Sequence, residues 1–126
     1  MEKLKRLGFY KELKHVSTEI SLREDVGRNN LSVGDSQKTI EYLRSGYVLA
    51  ISASYAFDVL SEEKVIIDSI SILTDGEWVW SNDYIYYLEK YNLSLPKDFI
   101  NYIRKIDWIL PKLSHEDVIL LESMEY

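Results

Sequence analysis

The side chains able to do chemistry are few and widely spaced. The two histidines, His15 and His115, stand a hundred residues apart, whereas a zinc site draws on several donors held close on one element, such as two histidines one helical turn apart. No metal site is expected. The absence of cysteine removes thiolate nucleophiles, disulfides and thiolate metal ligands. A serine hydrolase needs its nucleophile on a sharp turn beside a base, and no G-x-S-x-G occurs; the five glycines are scattered singly, so no phosphate-cradling loop occurs either. Two carboxylate pairs, Glu62 with Glu63 and Asp75 with Glu77, have the groups for acid and base work. Both fall in expected turns, where acidic residues are common and stay solvated. Neither catalysis nor a cofactor is expected from these residues.

The elements that would position such groups centre on Thr74 to Tyr87. Asp75-Gly76 separates two β-prone runs and suits a two-residue type I′ hairpin. Trp78 and Trp80, two apart, share one strand face. Ser81, Asn82 and Asp83 offer capping side chains and first-turn negative charge to a helix over 82–91, in which Tyr84, Tyr87, Leu88 and Tyr91 form a stripe toward the sheet.

Upstream, residues 2–14 have Leu4 and Leu7 on one side of a short basic helix interrupted at Gly8, Val16 to Leu22 reads as a short strand, and the stretch after it as an exposed loop. Asp35 caps a helix running to Arg44, stopped at Gly46, with Ile40 and Leu43 on one face. From Tyr47 to Phe57 the period is two, with Tyr47, Leu49, Ile51, Ala53, Tyr55 and Phe57 on a bulky face and small residues opposite, suited to lie under a helix. A second strand covers 65–73 and a third 77–80. Downstream, Pro96 suits the first position of a helix carrying Phe99, Tyr102, Ile103 and Ile106, and His115 to Met124 forms a short helix or strand. The expectation is one α+β domain over 1–126: an antiparallel β-meander of three to four strands packed against several helices, the extra strand coming from the N-terminal third.

Ten tyrosines and three tryptophans are the unusual feature of the composition. By phase, Tyr47, Tyr55, Tyr84, Tyr87 and Tyr91 belong to the core. Tyr86 falls on the opposite helix face. With one face of Trp78 and Trp80, and rimmed by Asp75, Glu77, Asp83 and Glu89, it makes the candidate partner-binding surface, because interface cores favour Trp and Tyr. The same two tryptophans could instead pack under the helix that follows.

The net charge is −6, and its distribution is uneven: residues 1–14 carry five basic and two acidic side chains, the remainder ten and nineteen. An acidic body repels phosphate backbones, which argues against nucleic acid as a ligand and suits a basic protein partner. No apolar run approaches 18 residues and the start lacks an apolar signal region, so a cytoplasmic protein is expected, with no membrane partner. An outer strand of the sheet could pair with a second copy, so monomer and dimer both stay open.

The stretch Leu73 to Arg104, with Asp75-Gly76-Glu77-Trp78-Val79-Trp80, a Tyr-Tyr helix, Leu95-Pro96 and Phe99, resembles small bacterial immunity proteins encoded beside secreted polymorphic toxins, including those of contact-dependent inhibition systems. It covers about a quarter of the chain and departs from that pattern at Ser81, where proline is frequent. The resemblance implies a non-catalytic protein that binds a cognate toxin domain, often a nuclease with a basic cleft, and blocks it by occlusion, with the residues from Asp75 to Glu89 on or near the inhibitory surface. The alternatives are a carbohydrate or small-molecule module that uses Trp78 and Trp80 as a stacking platform, a small carboxylate enzyme, or a regulatory domain that binds a cellular protein.

Overall fold

The two β-prone runs flanking Asp75-Gly76 fold back on each other, and the other elements are arranged around that hairpin. The computed structural model describes residues 3–16, 18–124 and 126. Its strands are β1 (Lys5–Arg6), β2 (Tyr47–Phe57), β3 (Ile66–Thr74) and β4 (Trp78–Ser81). Its α-helices are α1 (Leu22–Asp25), α2 (Val33–Arg44), α3 (Asn82–Tyr91), α4 (Lys97–Lys105) and α5 (His115–Glu122). The sheet order is β1-β4-β3-β2. The fold is α+β, but its sheet is mixed: β2, β3 and β4 form the antiparallel meander, and β1 lies parallel to β4.

The N-terminal third departs most from its sequence pattern. No helix forms where 2–14 suggested one; residues 1 and 2 lie outside the described residues. Lys5 and Leu7 give their N–H groups to the carbonyls of Glu77 and Val79, each at 2.9 Å, so this backbone finds its partners in β4 rather than in a helical turn. Gly8 takes φ +73°, and a Cβ there would stand 2.2 Å from Cδ1 of Tyr84, so only glycine fits. The strand expected over Val16 to Leu22 is absent from the described residues of that span. Instead the Glu12 carboxylate accepts from the N–H groups of Leu22 (2.8 Å) and Arg23 (3.0 Å) and starts α1.

Helix α2 begins two residues before its expected cap. Ser32 is the N-cap and its hydroxyl accepts from Asp35 N at 3.1 Å. Gly46, expected as a left-handed stop, is not at positive φ. Its requirement is space, because a Cβ would come within 2.6 Å of Cζ2 of Trp80. The hairpin turn is also not type I′: Gly76 has φ +101° while Asp75 stays at negative φ, and the pairing Thr74↔Val79 leaves a longer loop. That loop is built by side chains. Asp75 Oδ1 accepts from the N–H groups of Glu77 (3.0 Å) and Trp78 (2.8 Å), and the Thr74 hydroxyl donates to Trp78 O at 2.6 Å.

Helix α3 has its expected bounds and ends at Asn92, left-handed at φ 51°. Pro96 is the N-cap of α4 rather than its first helical residue. The choice at the C-terminal end resolves to a helix, α5, opened by a Ser114–Asp117 capping box. All four residues of β4 are buried. Trp78 packs edge-on against Phe99 of α4 at 5.1 Å between ring centroids, and Trp80 donates its indole N–H to Leu43 O of α2 at 3.1 Å. Since these two tryptophans share a strand face, α2 and α4 cover that face. Among the described residues no helix is long and apolar enough to cross a membrane.

Candidate functional site

The seven residues expected to form a partner surface separate into two groups. Asp75, Trp78, Trp80 and Asp83 are buried, at 2%, 3%, 0% and 0% exposure, so their expected place on the surface is corrected. Trp78 and Trp80 belong to the core, and neither offers the open indole face that a stacking platform needs. Asp75 is held inside because it builds the hairpin loop and accepts the Tyr42 hydroxyl at 2.6 Å. Asp83 takes the Ser81 hydroxyl on one oxygen, and His15 Nε2 lies 2.9 Å from the other. Glu77 and Glu89 are exposed, and Tyr86 is half-buried. Glu77 faces Lys5 at 3.9 Å, and Glu89 pairs with Arg44 Nη2 at 2.8 and 3.0 Å.

Much of the tyrosine surplus is explained by one repeated arrangement, in which an aspartate drawn inward collects phenolic hydroxyls. Asp58, on the β2–β3 connection, accepts from Tyr86 (2.8 Å) and Tyr91 (2.5 Å) of α3. Asp25 accepts from Tyr10 (2.7 Å) and Ser94 (2.8 Å). Burial opposes charge on Asp58, yet the hydroxyls of Tyr91 and Tyr86, the Leu60 N–H and the Lys90 ammonium together hold its carboxyl below the usual range. Burial first, then Tyr84 and Asp25 beside Tyr10 and Asp75 beside Tyr42, push the hydroxyls of Tyr10 and Tyr42 well above the ordinary tyrosine value. Tyr47 and Tyr91 are partly buried, and Tyr84 and Tyr87 fully so. Tyr55, expected in the core, is 60% exposed.

That exposure marks the open region. Strand β2 lies at the edge of the sheet, and cross-strand pairing puts Val48 beside Leu73, Ile51 beside Ser71 and Tyr55 beside Ser69. Leu73 pairs with Trp80, so this row belongs to the tryptophan face, at the side that α2 and α4 leave open. Val48, Ile51 and Tyr55 are 47%, 74% and 60% exposed. Beside the row runs a shallow groove of about 400 Å³, with Ile67 and Leu73 on its floor and Asn82, Tyr86, Glu89 and Arg44 along it. Asn82 shapes it by imitating a strand: its side chain accepts from Ser71 N (2.9 Å) and donates to Ser69 O (2.6 Å), continuing the ladder where β4 ends. Tyr86 and Glu89 are thus the two expected site residues that the fold brings together. Val48, Ile51 and Tyr55 were missed because an uncharged alternating run reads as buried. The one available signal was that no charge occurs over the whole of 47–57.

Glu62 and Glu63 are exposed in the β2–β3 connection. Ser81, Asp83 and His15 do meet, but the carboxylate sits between the hydroxyl and the imidazole, so the histidine cannot take the serine proton as a triad requires. Among the described residues no group of three or more His, Asp or Glu side chains is placed to hold a metal ion. Comparisons with family models, curated proteins and solved structures find no significant match to the chain.

Proposed function

We propose that the chain is an immunity-like protein that works in the cytoplasm by binding a cognate bacterial toxin domain and covering its basic active site. The observation that carries this reading is strand β2: eleven residues without one charged side chain, at a sheet edge, with Val48, Ile51 and Tyr55 open to solvent. Outer strands of soluble proteins are usually blunted by charge or proline, and an exposed apolar row beside polar groups is a feature of binding surfaces. The neighbouring Glu89 and Asp68 and the net charge of −6 suit a basic partner. Tyr86 supplies an amphipathic ring at the same place.

The test begins with the DNA upstream. A frame that ends in a variable, basic C-terminal domain supplies the toxin for co-expression, and the chain is expected to protect the cell. Replacing Ile51 and Tyr55 together by lysine should leave the circular dichroism unchanged and weaken binding ~100-fold or more, as loss of two interface anchors does. Full protection by that variant would refute the placement. Metabolic or sugar-handling neighbours would refute the toxin reading itself.

A further inference from the structure

At the opposite edge of the sheet lies a larger concavity, a groove of about 880 Å³ between the N-terminal segment, the turn at Thr18 to Ile20 and the segment Ser94 to Pro96. Lys5 and Arg6 project to opposite sheet faces and both line it, so it runs along the outer edge of β1. Lys5 and Leu7 direct their N–H groups inward to β4. Arg6, between them, therefore turns its N–H and C=O outward, and among the described residues no further strand meets them because β1 is an edge.

One lining residue carries a second peculiarity. The Trp78 indole is 3% exposed and its N–H has no hydrogen-bond partner, whereas the Tyr84 hydroxyl, equally buried, lies beside that of Tyr10. A buried polar hydrogen left unpaired costs about 1–3 kcal/mol, so a native structure that keeps one beside a groove calls for an acceptor. Of the lining carboxylates, Asp25 serves Tyr10 and Ser94, Asp98 accepts from Phe99 N at 3.0 Å, and none is bonded to the indole.

The charges narrow the ligand class. Glu19, Asp25 and Asp98 line the groove and oppose an anion, while Lys5, Arg6 and the unpaired indole N–H oppose a cation. A neutral chain rich in carbonyl oxygens fits, and the outward N–H and C=O of Arg6 ask for both an acceptor and a donor at strand spacing. We propose that this groove binds an extended peptide segment, which adds to the sheet beside β1 and supplies a carbonyl oxygen to Trp78 Nε1. Lys5, whose ammonium sits 5.6 Å from the Trp78 ring centroid, swings aside on binding. Phe9, Ile20, Leu95 and Pro96 give alternate side chains of the peptide apolar seats. This site does not depend on the toxin reading, which uses the far edge.

The experiment is a selection of ten-residue random peptides displayed on phage against the whole protein, followed by titration of synthetic winners into the 15N-labelled chain. The expected result is a shift of the Arg6 amide and the Trp78 indole N–H signals. Ile20→Glu, a change at a 62% exposed position, should weaken the peptide about tenfold, and Ile51→Lys should leave it unchanged. Recovery of no peptide, peptides that move only the signals of β2, or a response of Arg6 and Trp78 to maltohexaose but not to peptides would each overturn the proposal.

Discussion

Strands β4 and β2 invert the usual relation between pattern and burial. Strand β4 is four residues long and wholly buried, Ser81 included, whereas β2 is eleven residues of alternating apolar character and mostly exposed. The difference is position. The second place in the order β1-β4-β3-β2 gives β4 a strand on either side, and α2 and α4 close over its tryptophans. Strand β2 has one neighbour, β3, and its pairing with that strand is irregular between Ile51 and Tyr55. Strict period two put Val48 on the face opposite Ile51 and Tyr55, but the register shift between Val48 and Ala50 brings it into their row, with Tyr47 on the other face; neighbours decide whether a face is covered.

The widest gap between the two strands is expected under mutation. Trp80→Ala removes a fully buried ring and its hydrogen bond to Leu43 and should cost about 3–5 kcal/mol in urea unfolding. Ile51→Ala, at 74% exposure, should stay within about 0.5 kcal/mol. Equal effects would collapse the contrast. A second break is at the end of β4, where His15 is the counter-group of buried Asp83. His15→Ala should cost about 1–3 kcal/mol, below the usual range for a broken buried pair because the imidazole reaches solvent; no loss of stability would show that Asp83 needs no partner.

The tyrosines around β4 and α3 give the comparison a pH axis. Burial raises the hydroxyls of Tyr10, Tyr42, Tyr84, Tyr87 and Tyr102 above the ordinary value. A folded value raised in this way gives stability that is complete below the unfolded value near 10 and is lost as pH rises past it, by about 1.4 kcal/mol per unit for each group. Tyrosinate absorbance should therefore appear with the loss of circular dichroism, after an early contribution from exposed Tyr55; gradual titration of every tyrosine with the fold intact would contradict the burial. Asp58 works in the other direction. Its folded carboxyl is lowered, so its contribution is present above the unfolded value near 4 and is lost as pH falls through the folded one. Tyr91→Phe should shrink that acid-side loss by a fraction of a unit in midpoint pH, and an unchanged acid limb would remove Tyr91 as a cause.

A small effect is expected outside the sheet. Asp107 and Trp108 follow α4 at φ 53° and 54°, a conformation that costs a non-glycine residue roughly 1 kcal/mol. Asp107→Gly should raise stability by about 0.5–1 kcal/mol, and a decrease would show that the Asp107 side chain, though exposed, does more than occupy the turn.

Local order was legible wherever the determining atoms are close in sequence. The bounds of α3, the strands on either side of Asp75-Gly76, the stripe of Phe99 and Ile103 and the α+β class follow from periodicities and turn residues that act within a few positions. Of the candidate site, helix phase put Tyr86 off the core stripe, and it is half-buried, while Glu89 is exposed. What escaped depends on remote partners. Asp75 is buried because Tyr42, thirty-three residues away, donates to it, and Asp83 because His15 reaches it from the N-terminal segment. β1 lies parallel because Glu77 and Val79 accept its hydrogen bonds, and β2 is open because among the described residues no strand follows it across the sheet. Side-chain phase is a property of the chain; the free energy of putting a carboxylate or a tyrosine in or out of water is a property of the atoms brought beside it, and only the tertiary fold chooses those.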